Sequence, residues 1–214
     1  MKVAGLDIAS STGICLTNGT DFRAYSFKPK TKRPSFLAPQ EIDPGYEAQL
    51  VEQFRDHLRA VLVSEEVEYV AYEKPRTRDF SRTKTVVDTN SAMFGAFKKV
   101  KERESSNLAM IRGVGLCTAL CGVCDRLNIP HVAVPVDDWR KAFFGFSRPT
   151  AHVKGSEARR KWWKEQAVIQ CTRIGISVPN NDAADAVGVT WWLLGHLKLA
   201  RLSRPGELRL EGAA

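Results

Sequence analysis

At 214 residues, with 43% hydrophobic and 26% charged side chains, the chain has the make-up of one globular domain with a substantial core. Its formal charge of +8 and pI near 9.4 point toward an acidic partner such as nucleic acid. No apolar run of transmembrane length and no signal-peptide pattern in "MKVAGLDIAS" are apparent, and five cysteines do not make a secreted disulfide framework, so a cytoplasmic protein with no membrane partner is expected.

In chain order, "KVAGLDIA", "TGICLTN" and "DFRAYSF" read as three strands joined by short turns, an antiparallel meander. "DPGYEAQLVEQFRDHLRAVL" reads as a helix. Asp43 caps it, Pro44 suits the first helical position, and Leu50, Phe54, Leu58 and Val61 form one apolar stripe. "VEYVAYE" is a fourth strand. A polar, basic stretch with no assigned element runs to about Asn107, followed by a helix through Leu127 and a fifth strand, "HVAV". A short helical piece around Trp139, a basic segment, and helices near Glu157–Ile174 and Asp182–Leu199 complete the order βββαβαβα, a mixed α/β sheet. No internal repeat or linker is visible, so one domain over residues 1–200 and a tail over 201–214 are expected.

Four acids stand out. Asp182 and Asp185, in "PNNDAADAVG", lie three apart at the start of an apolar helix, with Asn180 or Asn181 as its N-cap. Residues three apart share a helix face, so these carboxylates are neighbours; one acid in a first turn suits the helix dipole, whereas two ahead of buried surface repel unless a cation sits between them. Asp7 falls inside the first strand, on the face of Val3 and Gly5, and Glu73 ends the fourth on the face of Tyr69 and Ala71. An acid in an apolar strand is costly to bury unless paired or bound to metal. Packing the last helix on the sheet would bring all four together. Hard divalent cations take oxygen ligands, and two Mg²⁺ ions about 4 Å apart, with Mn²⁺ as substitute, can activate water and stabilise a leaving oxygen in phosphodiester hydrolysis.

The basic residues are clustered. "KPRTRDFSRTK" holds Lys74, Arg76, Arg78, Arg82 and Lys84 against one acid, with Phe80 among them. The stretch Asp137 to Glu165 holds eight Lys/Arg, including Arg140, Lys141, Lys154, Arg159 and Arg160, against four acids and is thick with aromatics. A third cluster is Lys28, Lys30, Lys32 and Arg33. Basic side chains reach phosphates and aromatics stack on exposed bases, against the plain alternatives of a solvated loop at Lys74 and core packing for Trp162 and Trp163.

In this order, "GLDIASSTG", "VAYEKP", "DDWRKAFFG" and "NNDAADAVG" resemble the RuvC-type Holliday-junction resolvases of the ribonuclease-H-like superfamily, most of all their phage-encoded relatives; the likeness runs from Lys2 to about His196. The resemblance implies a ribonuclease-H-like mixed five-stranded sheet, a three-strand antiparallel meander plus two parallel strands, flanked by helices. It also implies a crossover junction endodeoxyribonuclease, in the host cytoplasm if phage-encoded. Asp7, Glu73, Asp182 and Asp185 would then be the metal ligands. Lys164 would act at the scissile phosphate, and Arg140 or Lys141 would match another phosphate-contacting position. The near-twofold symmetry of a four-way junction leads one to expect a homodimer. Two departures from the family's pattern are present: "DIAS" (Asp7 to Ser10) replaces the common "DPG", as phage relatives often have it, and the stretch after Glu73 is longer and more basic than in the bacterial enzymes. In the bacterial enzymes an aromatic just beyond this glutamate helps open the junction; Phe80 is the nearest candidate, at a different spacing.

Other readings fare worse. "GLDIASSTG" also resembles the first phosphate motif of actin-like ATPases, which need two such domains. No G-x-x-x-x-G-K-[ST] loop is present, so no nucleotide cofactor is expected. "CTALCGVC" has the C-x3-C-x2-C spacing of radical-SAM enzymes, but Cys117, Cys121 and Cys124 form one helical stripe of small apolar residues. His57, His131, His152 and His196 have no zinc spacing. A nuclease for flapped DNA or RNA, and a branched-DNA-binding protein without catalysis, remain as alternatives.

Overall fold

The start of the chain pairs as the alternation predicts. In the computed structural model, which describes residues 1–35, 41–75 and 108–198 in full and 81–87 and 99–105 as backbone, β1 (Val3–Asp7), β2 (Thr12–Thr17) and β3 (Phe22–Phe27) form an antiparallel meander. α1 (Pro44–Ser64) follows, with the Asp43 carboxylate accepting from the Tyr46 amide at 2.6 Å and Pro at the helix start. Its buried stripe is Leu50, Phe54, Leu58 and Leu62; Val61, expected in that stripe, is only partly buried, because the i, i+4 spacing continues to 62.

β4 (Tyr69–Glu73) pairs parallel with β1, and the register Leu6 opposite Tyr72 sets Asp7 beside Glu73 at the carboxyl ends of both strands. The stretch read without an element contains an antiparallel ribbon, β5 (Ser81–Val87) and β6 (Lys99–Ser105), in a sheet of its own. α2 (Leu108–Arg126) returns to β7 (His131–Val134), which pairs parallel with β4 and completes the main sheet in the order β3-β2-β1-β4-β7. The chain ends, among the described residues, in α3 (Val136–Phe144), α4 (Ser156–Arg173) and α5 (Asn181–His196), the last stopping short of the expected Leu199. The mixed five-stranded sheet flanked by helices is thus the expected one, with a two-stranded ribbon added.

The strand pleat sorts the core into two. On one face Ala4, Leu6, Ile14, Val70 and Tyr72 meet α1 and the Leu116, Leu120 and Val123 side of α2. Each large aliphatic side chain buried there contributes about 1.5–3 kcal/mol. α2 is long and apolar enough to cross a membrane by length and hydropathy, which the sequence reading did not anticipate. It packs on this core, and its Arg112 is paired with Glu47 of α1. On the other face Val3, Cys15 and Ala71 meet the Ala184, Ala186, Val187 and Val189 surface of α5, with α3 and α4 outside it.

α5 approaches the sheet unusually closely, and small residues permit it. A Cβ on Gly13 would sit 1.8 Å from the Asp182 carbonyl oxygen, and one on Gly5 2.2 Å from Thr190 Oγ1. The start of α5 is therefore pressed against the mouth of the β1–β2 turn, next to Asp7.

Candidate active site

Asp7 ends β1, Glu73 ends β4, and Asp182 and Asp185 lie on the first turns of α5, whose N-cap is Asn180, its side chain accepting from the Ala183 amide at 3.0 Å. The register and the close approach of α5 bring all four acids to one end of the sheet. Their electrostatics record it. Asp7 is pushed well above the ordinary carboxylate value, first by burial and then by the charges of Glu73, Asp185 and Asp182, with Lys164 pulling the other way. Burial, then Glu73, raises Asp185 to about 7, against the opposing pull of Arg140 and Lys164. Buried carboxyls gathered at one point resist ionising, and a positive charge placed among them would relieve the repulsion.

Neighbours hold the acids in place. The Lys164 ammonium, from α4, donates to Asp182 Oδ1 at 3.1 Å, and the Ser11 hydroxyl donates to Asp182 Oδ2 at 2.7 Å. The indole N–H of Trp139 donates to Glu73 Oε2 at 3.0 Å. Trp139 is buried at 1% exposure, and its ring fills the space left by Gly188 of α5, where a Cβ would lie 2.6 Å from it. Arg140 lies over the ring of Trp163, its guanidinium carbon 4.3 Å from the centroid. Of the two adjacent basic positions left open by the sequence, Arg140 is half-buried and acts on Asp185, while Lys141 is exposed.

Among the described residues, no three Asp, Glu, His or Cys side chains stand close enough to grip one ion as they are. Lys164 and Ser11 occupy Asp182, and Trp139 engages Glu73. The donor set still fits a hard divalent cation. It is all carboxylate oxygen, drawn from three elements, with two members whose charge is unfavourable without one.

The other sequence candidates are dispersed. Lys74 is exposed, and its amide donates to the Val134 carbonyl at 2.8 Å. Lys154, Arg159 and Arg160 are exposed around the start of α4. Arg82 and Lys84 lie on β5, described as backbone only, and Arg76, Arg78 and Phe80 lie outside the described residues. Cys117 and Cys124 are buried in the core and Cys121 meets the Tyr72 hydroxyl at 3.3 Å, with burial raising the thiols of Cys117 and Cys124 to about 12. Ser11 and Trp139 were not singled out from sequence as site residues. Trp139 had a local signal, an indole one residue before Arg140 in a helical piece. Ser11 had none, since only the docking of α5 brings Asp182 to it.

No protein-family model matches the chain, and no curated protein matches it in sequence. Solved structures do match in fold. One is RuvC of Thermus thermophilus, 14% identical at a TM-score of 0.53, with 96% of this chain and 100% of that one covered. Another is T. thermophilus RuvC in complex with a Holliday junction substrate, 15% identical at 0.55, covering 96% and 99%. The yeast mitochondrial Holliday junction resolvase Ydc2 aligns at 13% identity and a TM-score of 0.47, over 92% and 79%. The chain therefore has the fold of T. thermophilus RuvC, a ribonuclease-H-like mixed sheet flanked by helices.

Proposed function

We propose that the protein is a metal-dependent, structure-selective endodeoxyribonuclease that resolves four-way junctions and other branched DNA. The observation that carries the reading is the gathering of four acids from β1, β4 and α5, two of them with raised proton affinity, beside Lys164 and Arg140. The fold it shares with RuvC, and the Holliday junction bound to one RuvC structure, support the substrate class. A net charge of +8, the four site acids included, supports a polyanionic partner.

Asp7, Glu73, Asp182 and Asp185 would hold two Mg²⁺ ions. When bound, such ions supply an activated water and neutralise charge on the leaving oxygen. The rest falls to the chain's own side chains. Trp139 orients Glu73 and Ser11 orients Asp182, limiting how these carboxylates move as they close on the ions. Lys164 is placed to exchange Asp182 for a phosphate oxygen, offsetting negative charge as the phosphodiester reacts. Arg140, held against Trp163, presents a second fixed cation to the same phosphate. In-line attack by water then leaves a 3′-hydroxyl and a 5′-phosphate. Paired cuts on a near-twofold junction call for two such sites, hence a homodimer working in the cytoplasm.

The test is incubation of purified protein with labelled four-way, flap, single-stranded and duplex DNA, and with RNA, in Mg²⁺, Mn²⁺ or EDTA. Symmetric cuts near the branch point of the four-way substrate in either metal, and none in EDTA, are expected. Cutting confined to flaps or RNA would move the protein to another ribonuclease-H-like activity. Tight binding without cutting in any metal would make it a branched-DNA-binding protein.

A further inference from the structure

Beside the acid cluster lies an aromatic surface that the proposed chemistry does not use. Phe146 follows Gly145, the left-handed residue that ends α3, and is 42% exposed. Its ring stacks at 5.8 Å and 25° on Phe144 and at 5.9 Å and 28° on Trp163, and lies 5.8 Å from Trp162. Trp162, only partly buried, meets Trp163 edge-on at 4.8 Å. The inner rings of this group belong to the core: Phe143 and Trp163 are buried at 0% and 7%. Its outer edge is open, which is a poor use of aromatic area if packing were its whole purpose.

Two observations indicate what covers that edge. From Phe146 to Lys164 the chain holds six Lys/Arg and one acid, so apolar rings sit in a strongly cationic segment. The surface is also continuous with the site, since Trp163 carries Arg140, and the next residue, Lys164, reaches Asp182. An occupant must be flat and apolar on its face, anionic along its edge, and attached to whatever enters the acid cluster. A nucleotide within a strand meets all three conditions, its neutral base offering the flat face and its phosphates the charge. A base inside a duplex has both faces stacked already, so only an unpaired base can offer one.

We propose that Phe146 and Trp162 form a stacking shelf for an unpaired nucleobase, with the cations of the same segment, Arg148 and Lys161 among them, on the flanking phosphates. As a subsite for branched DNA this rests on the nuclease reading, and it would select strands opened at the branch point over intact duplex.

The experiment measures binding in EDTA to a single-stranded oligonucleotide, an intact duplex, and a four-way junction carrying 2-aminopurine beside the branch point. Phe146→Ala and Trp162→Ala should each weaken single-strand binding about tenfold, the loss of one base stack, with duplex affinity and the salt slope unchanged. Wild type should quench the 2-aminopurine, and the variants should not. Phe146→Tyr should bind as wild type, whereas Phe146→Leu, which keeps the apolar contact without a ring face, should fail like alanine. These two variants keep the test open if alanine unfolds the protein. Full binding and quenching by Phe146→Leu, or equal losses on duplex, would overturn the shelf. If Phe146→Leu binds normally while wild type cuts junctions, the shelf alone falls. If Phe146→Leu loses single strands while wild type cuts nothing, the nuclease reading falls and the shelf stands.

Discussion

The two faces of the central sheet are built on opposite plans. One buries large aliphatic side chains, Leu6 and Ile14 against Leu50, Leu58, Leu116 and Leu120, across ordinary side-chain spacing. The other closes on glycine and alanine, Gly5 and Gly13 against Asp182, Ala186 and Thr190, with backbone almost in contact with backbone. A core of large side chains absorbs a change by local relaxation at a graded cost. A backbone contact has nothing to relax, so an added atom there displaces the helix that carries two of the four site acids. The first face supplies stability, and the second converts stability into the position of charge.

If that contrast is right, the largest effect at the site follows from the smallest added group. Gly13→Ala places a methyl 1.8 Å from the Asp182 carbonyl, so α5 must shift. Junction cutting should be lost and stability reduced by about 3 kcal/mol, read from urea unfolding beside a cleavage assay. Wild-type cutting by this variant would remove the claim that α5 sits where it does to aim its acids. Trp139→Phe deletes the N–H on Glu73 and, with it, part of the indole that lies against Gly188. Cutting should fall about 10- to 100-fold, as for other residues that orient a ligand, and stability should drop by roughly 1–2 kcal/mol for the buried atoms removed.

The third prediction is electrostatic. Asp185 binds its proton more tightly folded, at about 7, than at the ordinary value of 3.8. Its contribution to stability without divalent cation is therefore greatest below about 3.8, and declines as pH rises toward about 7. Asp7 acts in the same direction. In EDTA, Asp185→Asn should match wild type in urea midpoint near pH 4 and exceed it near pH 8. A variant less stable than wild type at pH 8 would mean that the carboxylate is held by partners that favour its charge. The smallest effect at the site belongs to the other face. Leu58→Ala should cost about 2–5 kcal/mol of stability. Cutting should be unchanged at temperatures where the variant is folded, because Leu58 packs in the core cluster on the opposite face of the sheet from α5.

The same division governs what could be read from sequence. Strand alternation put Asp7 opposite Leu6, and helical spacing put Asp182 and Asp185 on one face; both are local rules that the fold obeys. An asparagine cap, left between Asn180 and Asn181 and found at Asn180, and the stripe Leu50–Phe54–Leu58 are equally local. The ribbon of β5 and β6 escaped because its strands, "SRTKTVV" and "KVKERES", are charged, without an apolar face to betray them. The choice between Arg140 and Lys141 escaped for a different reason. α3 turns on Trp139 and Phe143, and only the position of Trp163 on α4 decides which cation is drawn inward. Ser11 and the indole of Trp139 act across the fold, where single-sequence rules have no reach.

The most direct test of the acid cluster is Asp7→Asn, measured twice: cleavage of a four-way junction in Mg²⁺, and gel-shift affinity for the same junction in EDTA. The substitution keeps side-chain shape, removes one ligand charge and relieves a buried, repelled carboxyl. The predicted result is no cutting, with affinity in EDTA unchanged or slightly tighter, an ionic gain that fades as salt rises. Cutting at near wild-type rate, or a folded variant that no longer binds the junction in EDTA, would contradict the assignment of Asp7 to a metal site.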